Sequence, residues 1–184
     1  AALALGVSLK DSAAVLAKVP HVQGRVEVVP TPGKDYTILI DYAHTPDSMV
    51  NVLRTVKEFA KGRTVAVFGC GGDRDRTKRP LMGKAAADWS DFAVVTTDNP
   101  RTEQPEAIIE EILPGFAGSA TPYQVVVDRV EAIHWAMDHA QKEDVIVLCG
   151  KGHETYQDIG GVKRHLDERE EVAQNHTDDK RQDG

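Results

Sequence analysis

The sequence predicts a doubly wound α/β domain, in which a mostly parallel sheet carries helices on both faces. Short, continuously apolar runs recur along the chain, as expected of strands that are buried on both faces. Segments with apolar residues at helical spacing lie between these runs. Glycine-rich or polar loops follow several of the strand-like runs, where open parallel sheets bind their ligands. Such an alternation is typical of a two-sided parallel sheet.

The N-terminal segment differs in character from the rest of the chain. Residues 1–23 are rich in Ala and Leu, and Leu9, Val15 and Leu16 lie at helical spacing before Pro20. We expect one or two short helices here, left over from a preceding domain. The chain also begins without Met, which suggests that it was cut from a longer protein.

The domain itself is predicted to span residues 24–173 and to begin with a pair of strands. Arg25–Pro30 and Tyr36–Ile40 have strand patterns, and the Pro32-Gly33 pair between them is typical of a tight turn. We therefore expect the two strands to lie side by side.

From there helices and strands alternate. Thr45 and Pro46 suit the N-cap and first position of a helix, and further helices are expected to begin near Pro80, near Pro105 and after Asp128. The inward residues of the first helix are predicted to be Met49, Leu53, Val56 and Ala60. The remaining strands are predicted at Val65–Phe68, Phe92–Thr96, Tyr123–Val127 and Val145–Leu148.

The C-terminal part lacks the apolar runs of the sheet. Gly160 and Gly161 predict a hairpin turn, and Asp167–Ala173 has the pattern of a last helix. Residues 174–184 are polar, and we expect them to form a disordered tail.

Composition excludes several classes of function. The formal net charge is −7, from 22 basic and 29 acidic residues, and the basic residues form no long run. Because phosphate-rich partners need clustered Lys and Arg, we expect binding neither to nucleic acid nor to a membrane surface. Cys70 and Cys149 each end an apolar run, and two cysteines do not make a disulfide framework, so reduced residues of a cytoplasmic protein are predicted.

The sequence also shows no signal for membrane insertion. No apolar stretch approaches the ~20 residues that a membrane span requires. The N-terminus has neither the positive flank nor the apolar length of a signal peptide.

The first polar cluster follows the second strand and begins the first helix. It runs Asp41-Tyr42-Ala43-His44-Thr45-Pro46-Asp47. A carboxylate at this strand end is placed to hold ribose hydroxyls, and Asp41 has that position. A plain helix-capping turn is the alternative, and it accounts for the last three residues of the run. Because it leaves Asp41, Tyr42 and His44 unexplained, we favour binding.

The second cluster is a glycine-rich loop, Gly69-Cys70-Gly71-Gly72, that continues into a cationic segment. The glycines permit a ligand to approach the backbone closely. We expect a local cationic centre formed by Arg74, Arg76, Lys78 and Arg79. Guanidinium groups bind carboxylates through two parallel hydrogen bonds. A solvated charged loop is the alternative interpretation.

The third and fourth clusters follow two later strands. Asp98-Asn99-Pro100-Arg101 combines acceptors, an amide and a guanidinium, which suits a zwitterionic amino acid, although an ordinary Asn-Pro turn explains it equally well. In the last cluster, Gly150-Lys151-Gly152-His153-Glu154-Thr155, the carboxylate of Glu154 is placed to hold an ammonium group. The spacing of His and Cys supports no metal site. No phosphate-binding loop of the Gly-x-x-x-x-Gly-Lys-Ser/Thr type occurs in the chain.

These four clusters, in this order, resemble the C-terminal domain of the Mur ligases, a Rossmann-like domain. The resemblance covers residues 24–172, and the Asp98–Arg101 motif resembles that of the members that add meso-diaminopimelate rather than lysine. Residues 1–23 then resemble the end of the family's central ATPase domain. The resemblance implies that the diaminopimelate pocket is formed by Arg74, Asp98, Asn99, Pro100, Arg101, Gly150 and Glu154. It implies an ATP-binding role for Arg25, Asp41, Tyr42 and His44.

The resemblance further implies an ATP- and Mg²⁺-dependent ligase of peptidoglycan synthesis. In that reaction the γ-phosphate passes to the D-glutamyl carboxylate of a UDP-MurNAc-dipeptide, and the amino group of meso-diaminopimelate attacks the acyl phosphate. The family's UDP-sugar domain, phosphate loop and magnesium ligands have no counterpart here. We therefore expect no catalytic residue in this chain, no metal site and no ligase activity of the chain alone.

Two other functions compete with this interpretation. One is a relative that adds lysine, or glutamate to folate, which Asp98–Arg101 argues against. The other is a non-catalytic module that binds a nucleotide or an amino acid, because every feature found is a binding feature.

Overall fold

The computed structural model describes residues 2–16, 18 and 22–182. Eight strands and six α-helices follow one another in these residues. The strands are β1 (Glu27–Val29), β2 (Thr37–Asp41), β3 (Thr64–Phe68), β4 (Phe92–Val95), β5 (Tyr123–Val125), β6 (Val145–Cys149), β7 (Tyr156–Ile159) and β8 (Val162–His165). The helices are α1 (Leu9–Leu16), α2 (Pro46–Phe59), α3 (Lys78–Trp89), α4 (Pro105–Ile112), α5 (Arg129–Asp138) and α6 (Glu168–Gln182). Short 3₁₀ segments span Ala2–Leu5 and Leu113–Phe116.

Six of the strands form one sheet in the order β1-β2-β6-β3-β4-β5. Only β1 is antiparallel to its neighbour, and the pairs β2-β6, β6-β3, β3-β4 and β4-β5 are parallel. The last central strand, β6, lies between β2 and β3, and the carboxyl ends of the five parallel strands lie at one edge. The predicted mostly parallel sheet is confirmed, and β7 and β8 form the predicted hairpin beside it.

Helices cover both faces of the sheet, as predicted. Helices α2, α3 and α4 pack on one face, and α5 and α6 pack on the other. Strand β6 shows why, since alternate residues point to opposite faces. Val147 is buried among the first group of helices, whereas Ile146 and Leu148 are buried under the second.

Local capping explains where two helices begin. The Thr45 side chain accepts a hydrogen bond from the Ser48 backbone N–H, and the Ser48 side chain accepts one from Thr45, which is a complete capping box. Asp128 accepts from the backbone N–H groups of Val130 and Glu131 at the start of α5. Both caps agree with the sequence predictions.

The end of the last helix corrects the predicted tail. Helix α6 does not end at Ala173 but continues to Gln182. The disorder prediction rested on missing apolar residues, yet residues 174–182 contain neither Gly nor Pro to end a helix. Ala1, Pro20 and the last two residues of the predicted tail lie outside the described residues.

Several smaller features complete the comparison with the sequence. One or two short helices were predicted before Pro20, and the structure has a 3₁₀ segment and α1 there, with the Leu9 and Val15 side chains of α1 largely exposed. Cys70 and Cys149 are free and buried, and burial raises the pKa of the Cys70 thiol to about 12. None of the helices in the described residues has the length and apolar character for crossing a bilayer.

Candidate functional site

The loops that follow β2, β3, β4 and β6 enclose a cavity of about 450 Å³ at the carboxyl edge of the sheet. The predicted ligand residues that line it are Tyr42, His44, Arg74, Asp98, Asn99, Arg101, Gly150 and Glu154. Thr45, Gly71, Asp75, Lys78 and Tyr156 line it as well. Polar clusters that are far apart in the sequence therefore meet in a single cavity, as predicted.

Three predicted site residues are not among those that line the cavity. Arg25 lies over the ring of Tyr42, with its guanidinium carbon 5.2 Å from the ring centre. The Asp41 carboxylate is buried and accepts a hydrogen bond of 2.8 Å from the backbone N–H of Val26. Pro100 lines a different cavity, beside β5.

Arginine side chains form one wall of the cavity. Arg101 donates from Nη1 to the Gly72 carbonyl at 2.7 Å, and Arg74 donates from Nη1 to the Asp73 carbonyl at 3.3 Å. These bonds to backbone oxygens hold the two guanidinium groups at the glycine-rich loop, with part of each facing the cavity. Such a wall is suited to a carboxylate.

The glycine-rich loop is held so close to its neighbour that side chains do not fit there. A Cβ on Gly72 would lie 1.9 Å from the Pro100 carbonyl oxygen, and one on Gly71 would lie 2.9 Å from Arg101 Nη1. The Gly72 N–H donates to the Asn99 carbonyl at 2.9 Å. The glycines thus permit two site loops to touch, which places the Arg101 guanidinium over the first loop.

The β7-β8 hairpin fixes the backbone of Arg101. The Arg101 N–H donates to the Asp158 carbonyl at 3.0 Å, and the Gly160 N–H donates to the Arg101 carbonyl at 2.7 Å. Arg101 has a φ of 51°, a left-handed conformation that is uncommon for a residue with a side chain. The hairpin therefore holds this site residue in an otherwise unfavourable conformation.

Two of the cations predicted for this wall lie elsewhere, which corrects the proposed cationic centre. Arg76 pairs with Glu111 on the surface. Arg79 is completely buried and donates to Glu103 at 2.7 Å and 2.9 Å, and to Glu111 at 2.8 Å. Helix α3 begins at Lys78, inside this run of charged residues, and turns Arg79 inward. The run of charges in the sequence does not show which residue the helix buries.

Glu103 connects the buried arginine to the glycine-rich loop. Its Oε1 accepts from the Asp73 N–H at 2.6 Å as well as from Arg79. The hydrogen bond from Arg79, aided by the one from Asp73, lowers the pKa of Glu103 to about 2. The Asp73 carboxylate in turn accepts from the hydroxyl and N–H of Thr102. This network holds the segment that carries Arg74.

Carboxylates also line the cavity. Asp98 is buried, and a Cβ on Gly150 would lie 2.5 Å from Asp98 Oδ2, so glycine is required beside it. Glu154 Oε2 accepts a hydrogen bond of 3.0 Å from Asn99 Nδ2. Two acidic groups on one wall are suited to an ammonium group.

Lys151 is the residue of this site that the sequence prediction missed. Its side chain is completely buried, and Nζ lies 3.7 Å from Asp98 Oδ1 and 3.8 Å from Glu154 Oε2. Burial lowers the pKa of the Lys151 ammonium, and the charge of Asp98 opposes that shift. Its place between two glycines in a strand-end loop was a visible signal, but glycine spacing does not indicate burial.

Tyr42 forms the centre of an aromatic group at the mouth of the cavity. Its ring centre lies 4.6 Å from that of His44 and 5.1 Å from that of His153, with Arg25 above it. Burial, together with the nearby charges of Glu154 and Asp98, raises the pKa of the Tyr42 phenol. The His44 and His153 rings are tilted against the Tyr42 ring by 57° and 44°, and aromatic faces beside a guanidinium are suited to contact with a ligand ring.

The described residues do not suit a resident metal ion. No three His, Cys, Asp or Glu side chains are grouped closely enough for a metal within residues 2–16, 18 and 22–182. The acidic wall is also neutralised in part by Lys151. No chemical step is therefore assigned to Mg²⁺ on these residues.

Comparisons with known proteins agree with this arrangement. The sequence profile of a family described as Mur ligase, glutamate ligase domain, matches residues 24–152. A UDP-N-acetylmuramoyl-L-alanyl-D-glutamate–2,6-diaminopimelate ligase of Clostridioides difficile is 54% identical over 81% of this chain and 31% of that protein. The enzyme of the same name from Bacillus cereus is 49% identical over 92% of this chain and 34% of that protein. The chain thus spans about a third of the length of these relatives.

Solved structures show the same relationship. A structure of an enzyme with that name is 40% identical, with a TM-score of 0.79 over 97% of this chain and 36% of the other chain. The UDP-N-acetylmuramate-alanine ligase MurC from Thermotoga maritima shares the fold alone, at 18% identity and a TM-score of 0.62, over 100% of this chain and 36% of the other. With a profile match over most of its length and relatives near one-half identity, the chain belongs to the Mur ligase family, as a C-terminal domain of the MurE type.

Proposed function

We propose that this chain is the amino-acid- and nucleotide-binding part of an ATP-dependent ligase that adds meso-diaminopimelate to UDP-MurNAc-L-Ala-D-Glu in peptidoglycan synthesis. The observation that carries the proposal is a single cavity lined both by the guanidinium-bearing Arg74 and Arg101 and by the carboxylate-bearing Asp98 and Glu154. The names of relatives that are about half identical support the same substrate.

The cavity is suited to one zwitterionic centre of diaminopimelate. Arg74 and Arg101 take the carboxylate, and Asp98 and Glu154 take the ammonium group. The amino group of the other zwitterionic centre is not held by these four side chains, and it attacks the acyl phosphate. Its nitrogen bonds to the carbonyl carbon, phosphate leaves with the electrons of the broken C–O bond, and the amine loses a proton. The chain contributes by holding the amine in position, which is a large part of catalysis in such reactions.

Lysine has one zwitterionic centre, whereas diaminopimelate has two. When the reacting end of lysine is placed like that of diaminopimelate, its other end has an ammonium group but no carboxylate for Arg74 and Arg101. A polar group that a bound substrate covers and leaves unpaired costs about 1–3 kcal/mol, and a charged one costs more. Rejection of lysine therefore follows from the same two arginines that bind diaminopimelate.

The nucleotide is assigned to the neighbouring surface around Tyr42. In this proposal Tyr42 and His44 contact the nucleotide, Arg25 approaches its phosphates and Asp41 holds the ribose. Asp41 already accepts a hydrogen bond from Val26, so its ribose contact would use the remaining acceptor capacity of the carboxylate. The chain's partners are therefore ATP, meso-diaminopimelate and, through other parts of the ligase, the UDP-MurNAc-dipeptide.

Calorimetric titration of the 184-residue chain tests the amino-acid site. We expect meso-diaminopimelate to bind, L-lysine to bind much more weakly, and Arg101→Ala to weaken the binding of diaminopimelate roughly 10- to 100-fold, as the loss of a charged hydrogen-bond partner predicts. Arg54→Ala, on the exposed side of α2, is the matched control and should bind like the wild type. Equal affinity for lysine, or an Arg101→Ala variant that binds normally, would contradict the proposal.

Titration with ADP separates the ligase from a non-catalytic nucleotide module. Binding of both ADP and meso-diaminopimelate agrees with the ligase. Binding of ADP without any diaminopimelate binding would favour the module.

A further inference from the structure

We propose that Lys151 is a positioning residue that sets the amino-acid specificity of the cavity, because it orients Asn99 and, through Asn99, the Glu154 carboxylate. The inference rests on the proposed function, since it concerns how the same cavity holds an ammonium group. Lys151 is buried beneath the acidic wall and is not among the residues that line the cavity. Its effect on a ligand is therefore indirect.

The orientation of the Asn99 amide follows from the chemistry of its neighbours. Asn99 Oδ1 accepts 2.9 Å hydrogen bonds from both Lys151 Nζ and the Asp158 backbone N–H. An ammonium group and a backbone N–H only donate, so the amide oxygen must face them. The Asn99 amino group consequently faces Glu154, to which it donates at 3.0 Å.

Lys151 is itself held in place by acceptors from separate parts of the chain. Besides Asn99, its Nζ donates to the Tyr156 carbonyl at 2.7 Å. The Asp98 and Glu154 carboxylates lie 3.7 Å and 3.8 Å from the same nitrogen. The three donors of the ammonium group thus face two carbonyl oxygens and a pair of carboxylates, which joins the loops after β4 and β6.

The charges explain why a lysine at this place favours a substrate ammonium group. Asp98 and Glu154 carry two negative charges, and Lys151 supplies one positive charge from below. One net negative charge remains at the wall, which matches a single ammonium group in the cavity. Without Lys151 the two carboxylates repel each other, and the Asn99 amide loses a donor that orients it.

Other charged groups near this cluster do not replace Lys151. Arg129 is paired with Glu168 at 2.7 Å, so their charges largely cancel. Tyr42 interacts with Glu154 from the cavity side but supplies no positive charge. Among the described groups below the two carboxylates, Lys151 is therefore the cation whose charge is not cancelled by a separate ion pair.

Steady-state kinetics of the full-length ligase that contains this chain test the inference, with Lys151→Met as the variant. We expect the KM for meso-diaminopimelate to rise roughly 10- to 100-fold, whereas the KM for ATP changes less than about twofold. Lys61→Met, whose side chain is 79% exposed, is the matched control.

The outcomes separate this inference from the proposed function. If the wild type does not use meso-diaminopimelate, the proposed function fails. If the wild type uses it and a folded Lys151→Met variant has an unchanged KM, the positioning role is wrong. Parallel rises in the KM for ATP and for diaminopimelate would show a merely structural role and would also overturn the inference.

Loss of a buried charge can prevent folding, so a second variant keeps the test decisive. Lys151→Arg retains the charge, but its planar guanidinium cannot match the same set of acceptors. We expect it to fold, as judged by circular dichroism, and to raise the KM for meso-diaminopimelate by a smaller factor than Lys151→Met does. If Lys151→Met does not fold and Lys151→Arg has the wild-type KM for meso-diaminopimelate, the orienting role is contradicted.

Discussion

At the scale of single residues, the site depends on buried charged side chains that never touch the cavity. Arg79 and Lys151 are both completely buried, and each holds a carboxylate that is connected to a cavity loop. Glu103 accepts hydrogen bonds from the Arg79 guanidinium and from the Asp73 backbone N–H, so the position of Asp73 depends on the buried arginine. Residues that line the cavity are therefore positioned by buried ion pairs.

Glu103 should make the stability of the domain depend on acidic pH. Its pKa is lowered from 4.5 to about 2 in the folded chain, so the ionised form stabilises the fold above pH 4.5. That contribution is lost as the pH falls through the window from 4.5 to about 2. We expect Glu103→Gln to be less stable than the wild type at pH 7, with a difference that shrinks towards pH 2.

Urea unfolding at several pH values measures this effect. Glu106→Gln, an exposed neighbour on α4, is the control and should follow the wild type. A difference between Glu103→Gln and the wild type that stays constant across the acidic range would show that the Arg79–Glu103 pair is not its cause.

At the scale of elements, the carboxyl edge of the sheet is tied together by one arginine. Arg129, the first residue of α5, is fully buried and pairs with Glu168, the first residue of α6, at 2.7 Å. It also donates to the Cys149 carbonyl at 2.9 Å and to the Thr97 carbonyl at 3.4 Å. The ends of β6 and β4 and the starts of two helices therefore share a single partner.

Removal of this arginine alone should be costly, whereas removal of the whole pair should not. Arg129→Met leaves Glu168 as a buried charge without its partner, and we expect a loss of about 3–5 kcal/mol in the free energy of unfolding. The double variant Arg129→Met/Glu168→Met removes both charges, and we expect it to recover a large part of that loss. Denaturant unfolding measures both, with Arg54→Met as the control. A double variant less stable than Arg129→Met would refute this account.

At the scale of the whole molecule, the chain combines a candidate site at the carboxyl edge of the sheet with the absence of a phosphate-binding loop motif from its sequence. The cavity and the Tyr42 surface adjoin each other at the carboxyl edge, where the loops of four parallel strands meet. The sequence contains no Gly-x-x-x-x-Gly-Lys-Ser/Thr loop, and the chain spans about a third of the length of its relatives.

The chain alone should accordingly be inactive as a ligase. With ATP, Mg²⁺, meso-diaminopimelate and UDP-MurNAc-L-Ala-D-Glu all present, we expect no formation of ADP above background. A coupled assay for ADP and phosphate measures this, and a full-length relative serves as the positive control. Formation of ADP by the 184-residue chain would contradict the expectation that the chain alone is inactive.

Much of the architecture could be predicted from local pattern. Apolar runs correctly predicted the central strands, and the Thr45 and Asp128 caps correctly predicted two helix starts. Both signals depend only on residues that are close together in the sequence. The strand-end loops also gave the site, since parallel strands bring their carboxyl ends to one edge. Local signals failed where a helix lacked apolar residues, as in α6, whose end was predicted too early.

Sequence alone determined the fold class and the loops that form the cavity, and the family motifs named its expected ligand residues. Only the tertiary structure decided which charges face a ligand and which support the site from below. Arg79 was predicted to belong to the cationic centre but is buried in an ion pair, Pro100 lies outside the cavity, and Lys151 was overlooked. The reason is physical: burial and charge pairing depend on partners distant in sequence, such as Asn99 for Lys151, and these meet only when the sheet assembles.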